Sequence, residues 1–253
     1  MKLRYKITVG ILIFVFLFFS AVAVSISYTA DCPPAAEAAS GSTMKAVVYR
    51  CYGGPDVLEY ADIPMPVPAE HEVLVKVHAA GVNPLDWHFM RGSPFVMRLM
   101  TGIGAPKDAA LGRDFAGVVE AVGENVTRFK AGDRVYGGAN GAFAEYLVRR
   151  ETGSIALMPA NVSFEEAAAV PVAAITALQA LRDNGQLQAG QKVLINGASG
   201  GVGTYAVQIA KSMGAEVHGV NSTRNVELVL GLGADRVFDY KRKIIPRVRS
   251  ATT

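Results

Sequence analysis

A chain of 253 residues, 51% hydrophobic and 19% charged, is long enough for one or two domains with buried cores. That excludes a small disulfide scaffold and a disordered chain, and 26 glycines against 12 prolines suit an α/β protein rich in tight turns. The formal charge of +3 is uneven, with +3 on residues 1–6, +5 on residues 241–253 and −5 on the body between them, so the body has no nucleic-acid footprint.

The first predicted element is an N-terminal helix. Residues 7–30 carry no charge. As a helix at ~1.5 Å per residue they reach ~35 Å, enough to cross a hydrocarbon core of ~30 Å. The run is an anchor or a signal peptide. Its length favours a transmembrane anchor over residues 1–30, while Ala21-Val22-Ala23 offers a small-x-small cleavage site. Lys2, Arg4 and Lys6 would stay cytoplasmic and place the rest on the extracytoplasmic side of the membrane. Residues 31–43, with Pro33, Pro34 and small residues without periodicity, read as a tether. Cys32 and Cys51 are the only cysteines, too few for a zinc site of several thiolates. Two free thiols are expected, with a single disulfide as the alternative outside the cytoplasm.

From Met44 the pattern turns β-rich. Residues 45–50, 57–63, 72–78 and 117–122 are short β-type runs separated by Gly, Pro and Asp, as in a β-barrel-like domain. Alternation in HEVLVKVHAAG puts Val73, Val75 and Val77 on one face and Leu74, Lys76 and His78 on the other, making His78 a strand residue on the wetter face. Gly132-Asp133 predicts a turn before a strand, and AFAEYLV supplies another strand. In AAGVNPLDWHFMRG, Gly81 and Pro84 fix a loop carrying Asn83, Asp86, Trp87 and His88. Either this loop lines a polar pocket, or it is an ordinary capped turn with Asp86 accepting backbone N–H bonds and Trp87 in the core. Residues 164–182 switch to helical spacing interrupted by Pro171, so two helices lead out of a first module at 44–187.

Residues 188–240 carry the strongest signal. KVLIN at 192–196 is a short apolar strand, GASGGVG follows at 197–203, and Val202, Tyr205, Ala206, Ile209, Ala210 and Met213 mark one helical face. Gly214 ends that helix and EVHGVN, 216–221, is a second strand. A glycine turn between strand and helix lets the backbone approach a pyrophosphate, whose charge meets the positive end of the helix dipole. Ala198 replaces the first glycine of the usual G-x-G-x-x-G spacing, so the strand and helix context carries the argument. After the second strand an acid would bind a free ribose and repel a 2′-phosphate. Asn221, Ser222, Thr223 and Arg224 stand there instead, which favours NADP(H), and Ser222 can at the same time cap a helix running through Leu230. Gly233 and residues 236–240 add a third parallel strand.

LGRDFAGVVEAVG, AAGVNPLDW, STRNVELVLGLGAD and the GASGGVG turn together resemble the medium-chain dehydrogenase/reductase superfamily, in its zinc-free quinone oxidoreductase branch, from Met44 to about Lys241. The resemblance implies an α/β fold, a GroES-like β-barrel-type catalytic domain followed by a Rossmann domain, with the active site in the cleft between them. Zinc-dependent members place Cys where this chain has Asn83 and a His-Glu pair where it has Arg113-Asp114, so no metal is expected. By the same matching Asn83 faces the nicotinamide and substrate, Gly200, Gly201 and Val202 the pyrophosphate, Ser222, Arg224 and Tyr240 the 2′-phosphate end, and Thr176 the neighbourhood of the nicotinamide.

The expected function is an oxidoreductase taking hydride from NADPH to a small-molecule quinone or activated alkene or carbonyl, with Asn83 stabilising the resulting oxyanion and water protonating it. His88 is read as a rim or structural histidine rather than the proton donor. Members of the superfamily continue past the third strand, whereas KRKIIPRVRSATT (residues 241–253) departs from them. The chain is therefore expected to be truncated, with the second nucleotide-binding half and an often dimeric edge missing. The alternative is a catalytically inactive membrane-tethered remnant with weak or no nucleotide binding.

Overall fold

The computed structural model describes residues 2–33 and 41–242, and within the first helix the side chains of residues 11–25 and 27. Residues 34–40 of the expected tether and 243–253 of the basic tail lie outside the described residues. The chain forms two units that meet in sequence between Ala169 and Val170.

The first unit begins with α1 (Lys2–Ser27). Among the described residues no helix is long and apolar enough to cross a membrane, which overturns the transmembrane expectation. The residues that follow α1 are tied into the first unit. The Ala30 N–H donates to the Gly104 carbonyl at 2.9 Å. Arg98, 3% exposed, donates to the carbonyls of Tyr28 at 2.6 Å and Gly92 at 3.0 Å and to the Thr29 hydroxyl at 3.0 Å. Its guanidinium also lies over the Tyr52 ring at 4.4 Å. Cys32 and Cys51 form a disulfide, contrary to the two free thiols expected. Arg98 brings them together by pinning 28–29 beside Tyr52, a contact between residues far apart in sequence.

β1 (Thr43–Tyr49) and β2 (Leu58–Pro64) pair antiparallel. β3 (Glu72–Gly81), β4 (Asp114–Val122), β5 (Arg134–Gly138), β6 (Tyr146–Arg150) and β7 (Ile155–Leu157) form a second antiparallel sheet in the order β6-β3-β4-β5-β7. The predicted alternation places Val73 and Val75 in one core with Phe115, Val119, Val135 and Leu147. Each such side chain taken out of water contributes about 1.5–3 kcal/mol before the cost of ordering it. His78 is exposed and stacks on Phe164 at 4.5 Å. Between β3 and β4 lie α2 (Pro84–Arg91) and α3 (Arg98–Thr101). The unit closes with α4 (Phe164–Ala168), where the Glu166 N–H donates to the Ser163 hydroxyl and the Ser163 N–H to the Glu166 carboxylate, at 3.2 and 2.9 Å.

The second unit starts with α5 (Pro171–Leu178), whose first residue is the expected Pro171, and a π-helical turn at Gln179–Asn184. β8 (Lys192–Asn196), α6 (Gly201–Ser212), β9 (Glu216–Asn221), α7 (Val226–Gly231) and β10 (Arg236–Asp239) follow. The strands are parallel in the order β10-β9-β8, the arrangement of a mononucleotide-binding half. The apolar face of α6 enters the core as its spacing requires, with Ala206 and Ala210 buried and Tyr205, Ile209 and Met213 packed around them. Gly214, at φ +79°, turns the chain from α6 into β9.

Candidate functional site

In the first unit, Pro84 is the first residue of α2 and Asn83 caps it from an extended backbone. The third helical residue, Asp86, accepts the Asn83 N–H at 2.7 Å through Oδ2. The capped-turn reading is therefore realised for Asp86. It fails for Trp87, which is 44% exposed and stacks on His88 at 4.0 Å instead of entering the core. His88 Nδ1 lies 2.7 Å from the Ser93 carbonyl, and since a carbonyl only accepts, that nitrogen carries the proton. This is the structural histidine expected.

Asn83 is half-buried, and its Nδ2 donates to Asp114 Oδ2 at 3.1 Å and more weakly to the Gly81 carbonyl at 3.4 Å. Asp114 is 1% exposed at the start of β4. A zinc ion at this place would need thiolate and imidazole ligands. The residues present are an amide engaged with a carboxylate and, next to it, an arginine, which do not fit zinc. Among the described residues no three His, Cys, Asp or Glu side chains converge as a metal site.

Arg113 takes a more active position than its sequence reading implied. Its guanidinium lies 3.8 Å from the Phe89 ring centroid, one terminal nitrogen donates to the Asn140 side-chain oxygen, and Nε is buried without a hydrogen-bond partner. Burial disfavours its charged form, partly offset by the field of Asp86. Burial in turn pushes the Asp86 carboxyl upward, opposed by the Asn83 N–H and by Arg113, and Asp86 Oδ1 has no partner. Arg113 also lines a cavity of about 280 Å3 with Tyr49, Phe89, Met97 and Met100. The Tyr49 phenol is pushed up to about 12, chiefly by burial, so it stays a donor through the neutral range. Sequence reasoning missed Arg113 and Tyr49 as pocket residues. The available signal was a cation standing where relatives hold a metal ligand.

In the second unit, β8 ends in the glycine turn. The N–H groups of Gly197 and Ala198 both donate to the Val220 carbonyl, at 3.0 and 3.1 Å, tying the turn to β9. The first bond of α6 runs from the Thr204 N–H to the Gly200 carbonyl at 2.9 Å. The N–H groups of Gly201, Val202 and Gly203 therefore precede the helical ladder, where an anion is best received. Nothing lies within 4 Å of a Cβ placed on Gly201, so this backbone is open to a ligand. A Cβ on Gly203 would instead run into the Gly197 carbonyl oxygen, so that glycine serves the fold. Val202, 40% exposed, stands at the same helix start.

Ser222, Arg224 and Tyr240 gather at the carboxyl ends of β9 and β10, where the Tyr240 N–H donates to the Asn221 carbonyl at 3.3 Å. Ser222 is half-buried, Arg224 exposed and Tyr240 55% exposed. Asn225 Nδ2 donates to the Ser199 hydroxyl at 2.9 Å, linking this end to the glycine turn. Asn221, 2% exposed, has a buried side-chain oxygen without a partner. An acid does stand nearby, on the neighbouring strand: Asp239 accepts the Thr223 hydroxyl at 2.6 Å and the Lys241 N–H at 2.9 Å, and these bonds hold its carboxyl below the usual range. Thr176 is exposed on α5, its hydroxyl donating to the Val172 carbonyl at 2.6 Å. The structure thus groups six of the expected residues, 200–202 with 222, 224 and 240, at one end of the parallel sheet. Asn83 belongs to the other unit.

Two family models match the chain, the alcohol dehydrogenase GroES-like domain over residues 69–162 and the zinc-binding dehydrogenase over residues 201–253. A chloroplast envelope quinone oxidoreductase homolog of Arabidopsis thaliana is 42% identical over 216 residues, covering 80% of this chain and 63% of that protein. The quinone oxidoreductase of Coxiella burnetii is 34% identical with a TM-score of 0.72, covering 80% of this chain and 64% of that one. A mycobacterial structure complexed with NADPH is 32% identical with a TM-score of 0.67, over 79% of this chain and 59% of that one. The chain spans less than two thirds of the length of the curated relatives it matches.

Proposed function

From the premise that this chain belongs to the medium-chain dehydrogenase/reductase superfamily, whose NAD(P)-dependent oxidoreductase modules it carries, we propose that it serves an NADPH-dependent, zinc-independent reduction of a quinone or an activated alkene or carbonyl. The observation that carries this reading is the turn at residues 197–203, with open backbone at Gly201 and unladdered N–H groups at the start of α6. The bound nicotinamide would supply the hydride. Gly200, Gly201 and Val202 hold the pyrophosphate through backbone N–H groups and the helix dipole. Ser222, Arg224 and Tyr240 receive the 2′-phosphate, with the Arg224 cation offsetting Asp239, which its bonds to Thr223 and the Lys241 N–H keep anionic. Thr176 is assigned to the neighbourhood of the nicotinamide by resemblance alone.

Asn83 is the proposed donor to the acceptor's oxygen as negative charge develops there. Its long bond to the Gly81 carbonyl is the one to yield, while the bond to Asp114 keeps the amide oriented. Without a metal to polarise the oxygen, the substrate's own conjugation must accept the hydride, which favours quinones and enones, and solvent protonates the product.

The test is cofactor titration of the full chain. NADPH should bind more tightly than NADH, and Arg224→Ala should weaken NADPH by about 1.5–3 kcal/mol, the scale of a hydrogen bond to a charged group, while leaving NADH nearly unchanged. Equal loss for both cofactors would remove the 2′-phosphate assignment, and no binding of either would remove the nucleotide site.

A further inference from the structure

The cavity beside Arg113 has an unusual electrostatic composition for an apolar pocket. Tyr49, Phe89, Met97 and Met100 make up much of its wall, yet a half-buried guanidinium faces it that forms no ion pair among the described residues. The Asn140 side chain takes one terminal nitrogen, the Phe89 ring covers one face and Nε is buried out of a ligand's reach, which leaves the second terminal nitrogen as the donor that can meet a ligand. The other charged groups of the lining are Lys107 and Asp108, with Asp86 close enough to act on Arg113. Two cations against two carboxylates leave the surroundings near neutral, where a dianion costs more to desolvate than a monoanion. A guanidinium N–H, a protonated tyrosine and a thioether-aromatic wall suit a carboxylate with a hydrocarbon body better than a fully polar, more highly charged phosphate. At about 280 Å3 the cavity lies near the lower end of small-molecule sites, which limits that body to a few carbons or one ring.

We propose that this cavity binds small organic monocarboxylates, with Arg113 and Tyr49 holding the carboxylate and Phe89, Met97 and Met100 covering the apolar body. Taken as substrate recognition, the proposal rests on the reductase reading above and narrows it to conjugated carbonyl compounds that also bear a carboxylate.

The chain has a single tryptophan, Trp87, on the same helix as Phe89, so its fluorescence reports on the cavity wall. The full chain would be titrated with hexanoate, hexanamide and inorganic phosphate. Hexanoate should give a saturable change, hexanamide should bind at least tenfold more weakly, and phosphate should bind more weakly still. Arg113→Gln should abolish the preference for acid over amide. Because Arg113 also packs on Phe89, a second variant is needed at a position that folding does not use. Met100, 84% exposed at the rim, serves, and Met100→Glu, which removes an apolar contact from both ligands but repels only the acid, should weaken hexanoate severalfold more than hexanamide. Equal affinity for acid and amide, tighter phosphate than hexanoate, or indifference to Met100→Glu would overturn the proposal. NADPH titration of the same samples separates the two readings. Loss of hexanoate binding with NADPH binding intact refutes the cavity assignment alone, and the reverse refutes the reductase reading alone.

Discussion

Two alanine substitutions in the glycine turn should separate cofactor contact from folding. At Gly203 an added Cβ would run into the Gly197 carbonyl oxygen and lie 2.8 Å from the Ala198 carbonyl carbon and Cα. These are backbone atoms that cannot rotate aside, so β8, the turn and α6 must shift together, and overpacking of this kind costs about 1–3 kcal/mol. At Gly201 nothing lies within 4 Å of the added Cβ, and the residue opens α6 with a backbone that alanine adopts freely. Alanine there should be neutral or stabilise the helix by a few tenths of a kcal/mol, roughly up to half the usual glycine penalty. In a unit of this size ~1 kcal/mol moves Tm by about 4–8 °C. Calorimetry of the full chain should therefore show Gly203→Ala melting about 10 °C lower in one transition, with Gly201→Ala unchanged. NADPH titration should give the opposite order for Gly201→Ala, at least about tenfold weaker binding or 1.4 kcal/mol, because its methyl group fills the space the pyrophosphate needs. Wild-type NADPH affinity in Gly201→Ala, or a wild-type melting temperature in Gly203→Ala, would refute this division of labour.

Arg98→Ala should destabilise the first unit by about 3–5 kcal/mol in urea unfolding, because the oxygens of Tyr28, Thr29 and Gly92 lose a buried cationic donor together. A loss below about 1 kcal/mol would mean that Arg98 does not pin the segment after α1. Tyr49 should appear in a tyrosinate absorbance titration as a late step at about 12 that Tyr49→Phe removes. A phenol raised on folding is protonated longer in the folded than in the unfolded chain. Stability is thus flat below the unfolded pKa of about 10 and falls as pH rises from there to about 12, a fall that Tyr49→Phe should suppress.

Local pattern determined much of this protein. The alternation of Val73 and Val75, the break at Pro171 and the strand–glycine–helix run at 192–212 each dictate their own backbone, and each appears in place, whereas the loop expected around Asn83 and Pro84 is the start of helix α2. The residues grouped at the ends of β8, β9 and β10 were legible for the same reason, since parallel strands joined by helices bring successive carboxyl ends to one edge. Contacts between distant segments were not legible. An uncharged run of residues 7–30 satisfies the arithmetic of a membrane span, yet among the described residues no helix is long and apolar enough to cross one. Cys32 meets Cys51 because Arg98 holds residues 28–29 beside Tyr52, and no spacing rule encodes that meeting. Trp87, which the capped-turn alternative put in the core, is turned outward by α2, and Phe89 goes to the cavity. Asp239 joins the end of β9 only through the pairing of β10, and Arg113 gains its pocket only when Phe89 and Asn140 close around it. Periodicity and turn chemistry act over a few residues and can be read in order, whereas the surroundings of a charge depend on which distant side chains fold against it.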